Sequence, residues 1–203
     1  MKVFLARHGE TLGNSQGLIL GQEDYPLTDK GIKTTANLAD IVKETVGKGL
    51  IISSPLGRAL ESARIYAGKT GWQIEVMAGI AELSCGQWEG QLRNVVASDR
   101  PFIRAAWTVS PPEGESYADG EPRTAEVVRK IKMMKGYDVA IVVGHAGINR
   151  VFLKLWLEID PLCILNVQQS HETIYILNSC NAKGVDWISA DGSTGRGLIV
   201  EKP

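Results

Sequence analysis

The sequence predicts an α/β domain: a mostly parallel sheet with helices on both faces and an antiparallel edge formed by the C-terminal strands. Three observations predict it. Short continuous apolar runs at residues 3–6, 50–52 and 139–143 have the length and composition of strands buried on both faces. Apolar residues at helical spacing fill the stretches between them, and such alternation builds a parallel sheet. Three further strand-like runs, at 163–167, 173–177 and 185–188, lie too close together for helical crossovers and predict hairpin pairing.

Each element follows in chain order. The run 3–6 leads directly into Arg7-His8-Gly9-Glu10-Thr11. Thr28 and Asp29 can cap a helix in which Leu38, Ile41, Val42 and Thr45 recur at helical spacing. The run 50–52 exits through Ser53-Ser54-Pro55-Leu56-Gly57-Arg58 into a helix over 59–67, with Pro55 suited to its first turn. Residues 100–122 hold four prolines and mixed charge, and read as an irregular excursion of the kind that often carries function. Helices over 121–134 and 148–157 flank the run 139–143. Within the latter, Phe152, Leu153, Leu155 and Trp156 read as core, with a homodimer face as the alternative. Residues 189–203 are Gly-rich and polar and read as a mobile tail. At 203 residues, one domain over 1–203 suffices to bury a core.

Composition removes several function classes. A 44% hydrophobic, 22% charged chain is neither disordered nor membrane-like, and a formal net charge of −1 gives no field to draw it onto nucleic acid or an anionic membrane. The N-terminal apolar run is too short for a signal-peptide core and nothing approaches spanning length, which predicts a cytoplasmic protein. Cys85, Cys163 and Cys180 are odd in number and far apart, which suits neither a disulfide framework nor a zinc site.

Open α/β sheets bind ligands beyond the carboxyl ends of their strands, so the strand exits are where chemistry belongs. Three are chemically loaded. Arg7 and His8 precede a glycine, and a guanidinium at the end of a buried strand calls for an anion. The second exit opens a helix whose N–H groups favour an anion, and Arg58 can add a bidentate fork. The third, Gly144-His145-Ala146-Gly147, again delivers a glycine-flanked histidine into a helix. Two histidines with two arginines suit a tetrahedral dianion better than a metal ion, so neither metal nor cofactor is expected. A phosphate-cradling Gly-rich loop ending in Gly-Lys and a serine-hydrolase elbow are both absent from the sequence.

These residues resemble the histidine phosphatase superfamily, also called phosphoglycerate mutase-like. The stretch from Leu5 to Asn14 is similar to its signature of an arginine, histidine, glycine and glutamate followed by an asparagine. The likeness continues in order through Gly21-Gln22-Glu23-Asp24-Tyr25-Pro26-Leu27-Thr28, Ser53-Ser54-Pro55-Leu56 with Arg58-Ala59, Glu82 with Trp88-Glu89-Gly90, Gly114-Glu115-Ser116 and Gly144-His145-Ala146-Gly147. The resemblance implies a metal-independent phosphomonoester hydrolase working through a phosphohistidine. His8 would attack phosphorus, while Arg7, Arg58 and His145 hold the phosphoryl oxygens. Glu82 would protonate the leaving oxygen and then activate water. Asn14 would donate to phosphate, with Thr28 at the pocket wall. His171 departs from the smaller or amide residues expected there and reads as a surface histidine, with a substrate contact as the alternative.

The implied partner is a small organic phosphate. Phe102, Arg100, Arg104, Trp107 and Tyr117 are expected to cover the site and set specificity. By size and general likeness, α-ribazole 5'-phosphate or a sugar phosphate are the named options. A phosphoglycerate mutase is the first alternative, but mutases of this family insert extra sequence between the acid glutamate and the second histidine, and 82–145 leaves little room. A non-catalytic phosphate-binding module is the second, and the presence of both His8 and Glu82 argues against it.

Overall fold

The computed structural model describes residues 1–96, 103–178 and 181–200. Among the described residues seven strands form one sheet: β1 (Lys2–Arg7), β2 (Gly49–Ser53), β3 (Gln73–Val76), β4 (Val139–Gly144), β5 (Thr173–Asn178), β6 (Asn181–Ser189) and β7 (Thr194–Arg196). Their order is β3-β2-β4-β1-β5-β6-β7. The pairs β1–β4, β4–β2 and β2–β3 are parallel, while β1–β5, β5–β6 and β6–β7 are antiparallel. The predicted fold class is the observed one.

Side-chain alternation along the buried strands divides the core into two layers. Val3 and Leu5 of β1, with Ala140 and Val142 of β4, face α5 (Tyr117–Met133) and α6 (Ala146–Leu157), meeting Val128, Ile131, Phe152 and Trp156. Phe4, Ala6, Ile141 and Val143 point the other way. They meet Leu38 and Val42 of α2 (Asp29–Lys43) and Ala63 and Tyr66 of α3 (Gly57–Thr70). Because neighbouring residues serve opposite layers, the strands read as continuous apolar runs. Phe152, Leu153 and Trp156 are spent on this core, which is the first of the two readings of that helix.

Helix starts explain where the sequence reading drifted. Thr28 caps α2 as expected, accepting from the Gly31 amide at 2.9 Å. Helix α3 begins at Gly57, after Pro55, and takes no cap from its own N-cap residue. The Asp24 carboxylate, arriving from a distant loop, accepts from the amides of Gly57 and Arg58 instead. Helix α5 starts at Tyr117, four residues before the predicted start. Ser116 and Asp119 form a reciprocal capping box, so Pro122 lies inside the helix rather than ending an excursion. Among the described residues two short helices, α1 (Leu12–Ser15) and α4 (Arg93–Val96), are also present.

Three further differences concern the sheet. Strand β3 was not anticipated: it pairs only with β2, at the edge, and its Gln-Ile-Glu-Val sequence carries little apolar signal. The expected strand at 163–167 is instead the end of a 3-10 turn, Pro161–Cys163, capped by Asp160, then a further turn over 164–166 and a bridge from Val167 to Val200. The expected mobile tail contributes β7, and Leu198 and Ile199 pack on the core, so polar composition there reflects an edge strand. Residues 201–203, Arg100, Phe102 and Cys180 lie outside the described residues.

Candidate active site

Parallel pairing brings the three loaded exits to one edge. The registers Arg7↔Gly144 and Ser53↔Val143 end β1, β4 and β2 at the same level, with β4 between the other two. Above this edge opens a cavity of roughly 300 Å³. Its lining includes Arg7, His8, Asn14, Arg58 and Glu82.

His8 is held at every polar point. Its backbone amide donates to the Gly144 carbonyl at 3.0 Å and its Nδ1 donates to the Gly9 carbonyl at 2.8 Å. The second bond places the ring proton on Nδ1 and leaves Nε2 unprotonated. Arg58 Nε donates to that Nε2 at 3.2 Å. Burial holds the His8 pKa well below the usual histidine range, reinforced by His145, Arg7, Arg58 and His171, so the imidazole is neutral. Gly9 is required by packing: a Cβ there would sit 2.7 Å from Thr35 Oγ1 and 2.8 Å from the Gly31 carbonyl oxygen, where the start of α2 closes on the loop.

Arg58 is nearly fully buried and anchored by the Gly21 and Glu23 carbonyls and an Asp24 ion pair at 3.0 Å. Arg7 Nη1 donates to the Gln169 carbonyl at 2.9 Å, while its Nε is buried without a partner. Desolvation pulls the Arg7 pKa down to about 10, against the attraction of Glu82 and with the repulsion of Arg150, Arg58 and Arg93. It remains a cation at neutral pH.

His145 is fully buried as the N-cap of α6, its ring centroid 5.0 Å from that of His8. Its Nε2 meets Ser54 Oγ at 2.7 Å. That hydroxyl also accepts the Leu56 amide at 3.2 Å, and in the tautomer in which it donates to His145 Nε2 the ring proton sits on Nδ1. Nδ1 is buried and unpartnered. Burial, with Arg58 and Arg7 nearby, keeps this histidine well below its usual pKa as well.

Glu82 sits against the start of α6. Oε1 accepts from the amides of Leu83 and Ile148, both at 2.9 Å, and Oε2 from Gly147 at 3.0 Å. Oε2 therefore keeps one acceptor position open. Gly147 permits this approach, since a Cβ there would stand 2.7 Å from Oε1. Asn14 Oδ1 is occupied by the Thr11 amide and hydroxyl, at 3.2 and 2.9 Å, which leaves its Nδ2 group as the donor.

Two sequence expectations need correction. Thr28 does not line the cavity; its hydroxyl caps α2 and donates to Glu10 Oε1 at 3.0 Å, so the likeness at that one position reflects helix capping. His171 is not a surface histidine. It is half-buried, its Nδ1 donates to the His8 carbonyl at 2.6 Å, and its ring centroid lies 5.2 Å from that of His8. Burial, then Arg7, pulls its pKa down to about 3. In the covering segment, Ile103, Arg104 and Tyr117 line the cavity. Trp107 stands behind, stacked on Tyr117 at 4.9 Å with its indole N–H on Glu121.

Sequence reasoning missed Gln169, Arg150, Arg93, Ser54 and Asp24 as parts of this region. Arg150 could have been found, since it falls about one turn after the His145 exit. Gln169 carries no local signal, yet it lines the cavity with a buried, unpartnered Nε2. Among the described residues no three ligand-type side chains are grouped to hold a metal. What the arrangement offers is a neutral imidazole nitrogen beside Arg7 Nε and His145 Nδ1, both buried and unpartnered, faced by Glu82.

Comparison with known proteins points the same way. The chain matches the pattern of the histidine phosphatase superfamily (branch 1) over residues 3–185. It is 26% identical over 203 residues to the adenosylcobalamin/alpha-ribazole phosphatase of Escherichia coli K12, covering 92% of this chain and 99% of that one. It is 31% identical over 150 residues to a probable phosphoglycerate mutase GpmB of Escherichia coli O1:K1 / APEC, covering 71% of this chain and 69% of the relative. Among solved structures, a mycobacterial glucosyl-3-phosphoglycerate phosphatase superposes with a TM-score of 0.76 at 23% identity, covering 98% of this chain and 97% of its own. A putative alpha-ribazole-5'-P phosphatase from Escherichia coli K-12 gives 0.74 at 21% identity, covering 99% and 96%.

Proposed function

This chain belongs to branch 1 of the histidine phosphatase superfamily, and we propose that its cavity hydrolyses a small organic phosphomonoester with His8 as nucleophile. The observation that carries the reading is the state of His8: neutral, with its Nδ1 proton fixed on Gly9 and its Nε2 at the cavity beside Arg58.

The reaction follows from the placement of the groups. The ester phosphate enters as a dianion, taken up by the unpartnered donors of Arg7 and His145, with Asn14 Nδ2 as a further donor. His8 Nε2 attacks phosphorus and the bond to the leaving oxygen breaks. Glu82 in its protonated form, the proton at the open position on Oε2, gives that proton to the leaving oxygen and is left as the carboxylate. In the second half Glu82 takes a proton from water as that water attacks phosphohistidine, and His8 and inorganic phosphate are regenerated. Fixed donors supply the charge stabilisation that phosphoryl transfer needs, without reorganisation at the moment of reaction.

The α-ribazole phosphate and sugar phosphate options rest on whole-length likeness to relatives with phosphatase names and on a cavity at the lower end of the usual ligand range. The mutase alternative has one specific support, the 31% identity to a probable phosphoglycerate mutase. Incubation with 3-phosphoglycerate and its bisphosphate primer separates the two: the hydrolase reading expects free phosphate to appear faster than 2-phosphoglycerate, and the reverse refutes it. Our reading is of one catalytic domain over 1–203, acting in the cytoplasm on a small molecule, with neither nucleic acid nor membrane as partner. No described helix is long and apolar enough to cross a membrane. A homodimer is the remaining part of the reading, tested by the oligomeric state in solution; Leu155 of α6 is half-buried and packs on the core with its neighbours.

A further inference from the structure

Gly9 carries the carbonyl that holds the His8 ring, yet a glycine has the widest choice of backbone conformation. The chain on either side of it must therefore be fixed from outside. Beyond Glu10 the start of α2 does this, since the Thr28 amide donates to the Glu10 carbonyl at 2.8 Å. On the other side the His8–Gly9 peptide is gripped at both of its polar atoms. The Gly9 amide donates to Ser62 Oγ at 2.9 Å, and the His8 carbonyl accepts from His171 Nδ1 at 2.6 Å. A trans peptide points its C=O and N–H in opposite directions, so the two bonds hold it from opposite sides. They also polarise the same peptide, and so strengthen one another.

Each grip is itself anchored. Ser62 is fully buried on α3, one turn after Arg58, and its hydroxyl donates to the Arg58 carbonyl at 2.8 Å. With that proton spent, the oxygen serves the Gly9 amide as an acceptor. One turn of α3 thus meets both ring nitrogens of His8: Arg58 Nε bonds Nε2 directly, and Ser62 acts on Nδ1 through Gly9. His171 lies edge-on to the His8 ring, with 5.2 Å between centroids and an interplanar angle of 61°. A carbonyl can only accept, so the proton of His171 sits on Nδ1. The turn that bears His171 is held independently. The Tyr175 hydroxyl donates to the Gln168 carbonyl at 2.8 Å, and the Gln169 carbonyl accepts from Arg7 at 2.9 Å. Neither Ser62 nor His171 lines the cavity, so neither is placed to touch a bound ester.

We propose that His171 and Ser62 are positioning residues for the nucleophile: they clamp the His8–Gly9 peptide and so aim the Gly9 carbonyl at Nδ1 of His8. The inference rests on the hydrolase reading and extends it to two side chains that act only through the backbone. Attack on phosphorus needs the Nε2 lone pair in line with the bond that breaks, and a small tilt of the ring costs rate steeply. The effect of the clamp therefore falls on kcat. Phosphate binding, which uses Arg7 and His145, is left to set KM.

The test compares wild type with His171→Leu, His171→Asn and Ser62→Ala, each well below its melting temperature. Leu removes the donor, whereas Asn offers an amide N–H where the imidazole Nδ1 stood. The substrate is glycerol 3-phosphate, whose poor leaving group keeps attack by His8 in the measured rate. His171→Leu and Ser62→Ala are expected to lower kcat at least tenfold with KM within threefold of wild type, and His171→Asn to stay within threefold in both. A second measurement needs no turnover. In protein labelled with 15N in histidine alone, the His8 ring N–H is identified by its loss in His8→Ala. Its signal should be sharp in wild type and His171→Asn, and broadened by exchange with water in the other two. A kcat within twofold of wild type in both His171→Leu and Ser62→Ala, or a ring signal unchanged in both, overturns the proposal. If one of these two variants fails to fold, the other decides. A wild-type protein that releases phosphate from no ester would be a failure of the hydrolase reading instead, and the ring signal then decides the present one.

Discussion

At the residue scale, the site is a set of single atoms with one role each. His8 needs an unprotonated Nε2, which the Gly9 carbonyl secures by holding the proton on Nδ1, and an arriving phosphate takes over the Arg58 hydrogen bond to it. Glu82 needs one open position on Oε2, and Gly147 must stay small for the carboxylate to sit where it does. Glu82→Gln is expected to lower kcat by roughly 10²–10⁴-fold, the usual contribution of a positioned general acid, measured as phosphate release from an alkyl phosphate. An equal kcat in that variant would remove Glu82 from the reaction. The sequence made Arg7, His8, Arg58 and His145 legible because each sits at or near the end of a strand that the topology brings to one edge, whereas Glu82 was legible only through the family resemblance. Thr28 misled because a helix cap and a ligand contact use the same hydroxyl. His171 and Gln169 were invisible in role because they come from 162 to 163 residues away, through a turn before β5 that no periodicity marks.

At the element scale, the helix starts position the chemistry. Helix α6 presents His145 at its cap and its first amides to Glu82, and α3 presents Arg58 in its first turn under the Asp24 carboxylate. Asp24→Asn leaves an uncharged acceptor there and removes the ion pair to a nearly buried Arg58. It should raise KM or lower kcat without unfolding the chain, and wild-type kinetics in that variant would remove Asp24 from the site. Helix α5 carries Tyr117 and, just before it, the Ser116 cap. Ser116→Ala should cost about 1 kcal/mol of stability, as loss of a helix cap does, read as a lowered midpoint in urea. These two devices were only partly legible. Apolar spacing located the bodies of α3 and α5, but a cap supplied by a distant loop leaves no local trace, and Pro122 read as a breaker because its tolerance depends on the capping box ahead of it.

At the scale of the whole molecule, a neutral histidine cluster is built into the end of a buried sheet, and this has a cost that depends on pH. All three histidines of the chain gather here, and burial depresses each of them below its usual value. The unfolded chain takes up protons below about pH 6.5 and the folded chain does not, so stability is greatest above that value and falls as pH decreases. For His171 the loss continues toward about pH 3. Each histidine contributes about 1.4 kcal/mol per pH unit in that window. Tm is therefore expected to drop steeply between pH 7 and pH 5, and less steeply in His171→Gln; identical slopes would contradict the neutral, buried state assigned to His171. The fold itself was the most legible level. Runs of buried strand and amphipathic helix gave the parallel sheet and its antiparallel edge, whereas β3 and β7 escaped notice because edge strands bury too little to leave an apolar signature.

The central claim is that phosphate passes through His8. Rapid-quench mixing with p-nitrophenyl phosphate carrying labelled phosphorus tests it most directly. The account predicts a phosphoenzyme that is labile in acid and stable in alkali, with the label on His8 by peptide mapping and absent from His8→Ala, which also loses turnover. Turnover by His8→Ala equal to wild type, or label on any other side chain, would contradict it.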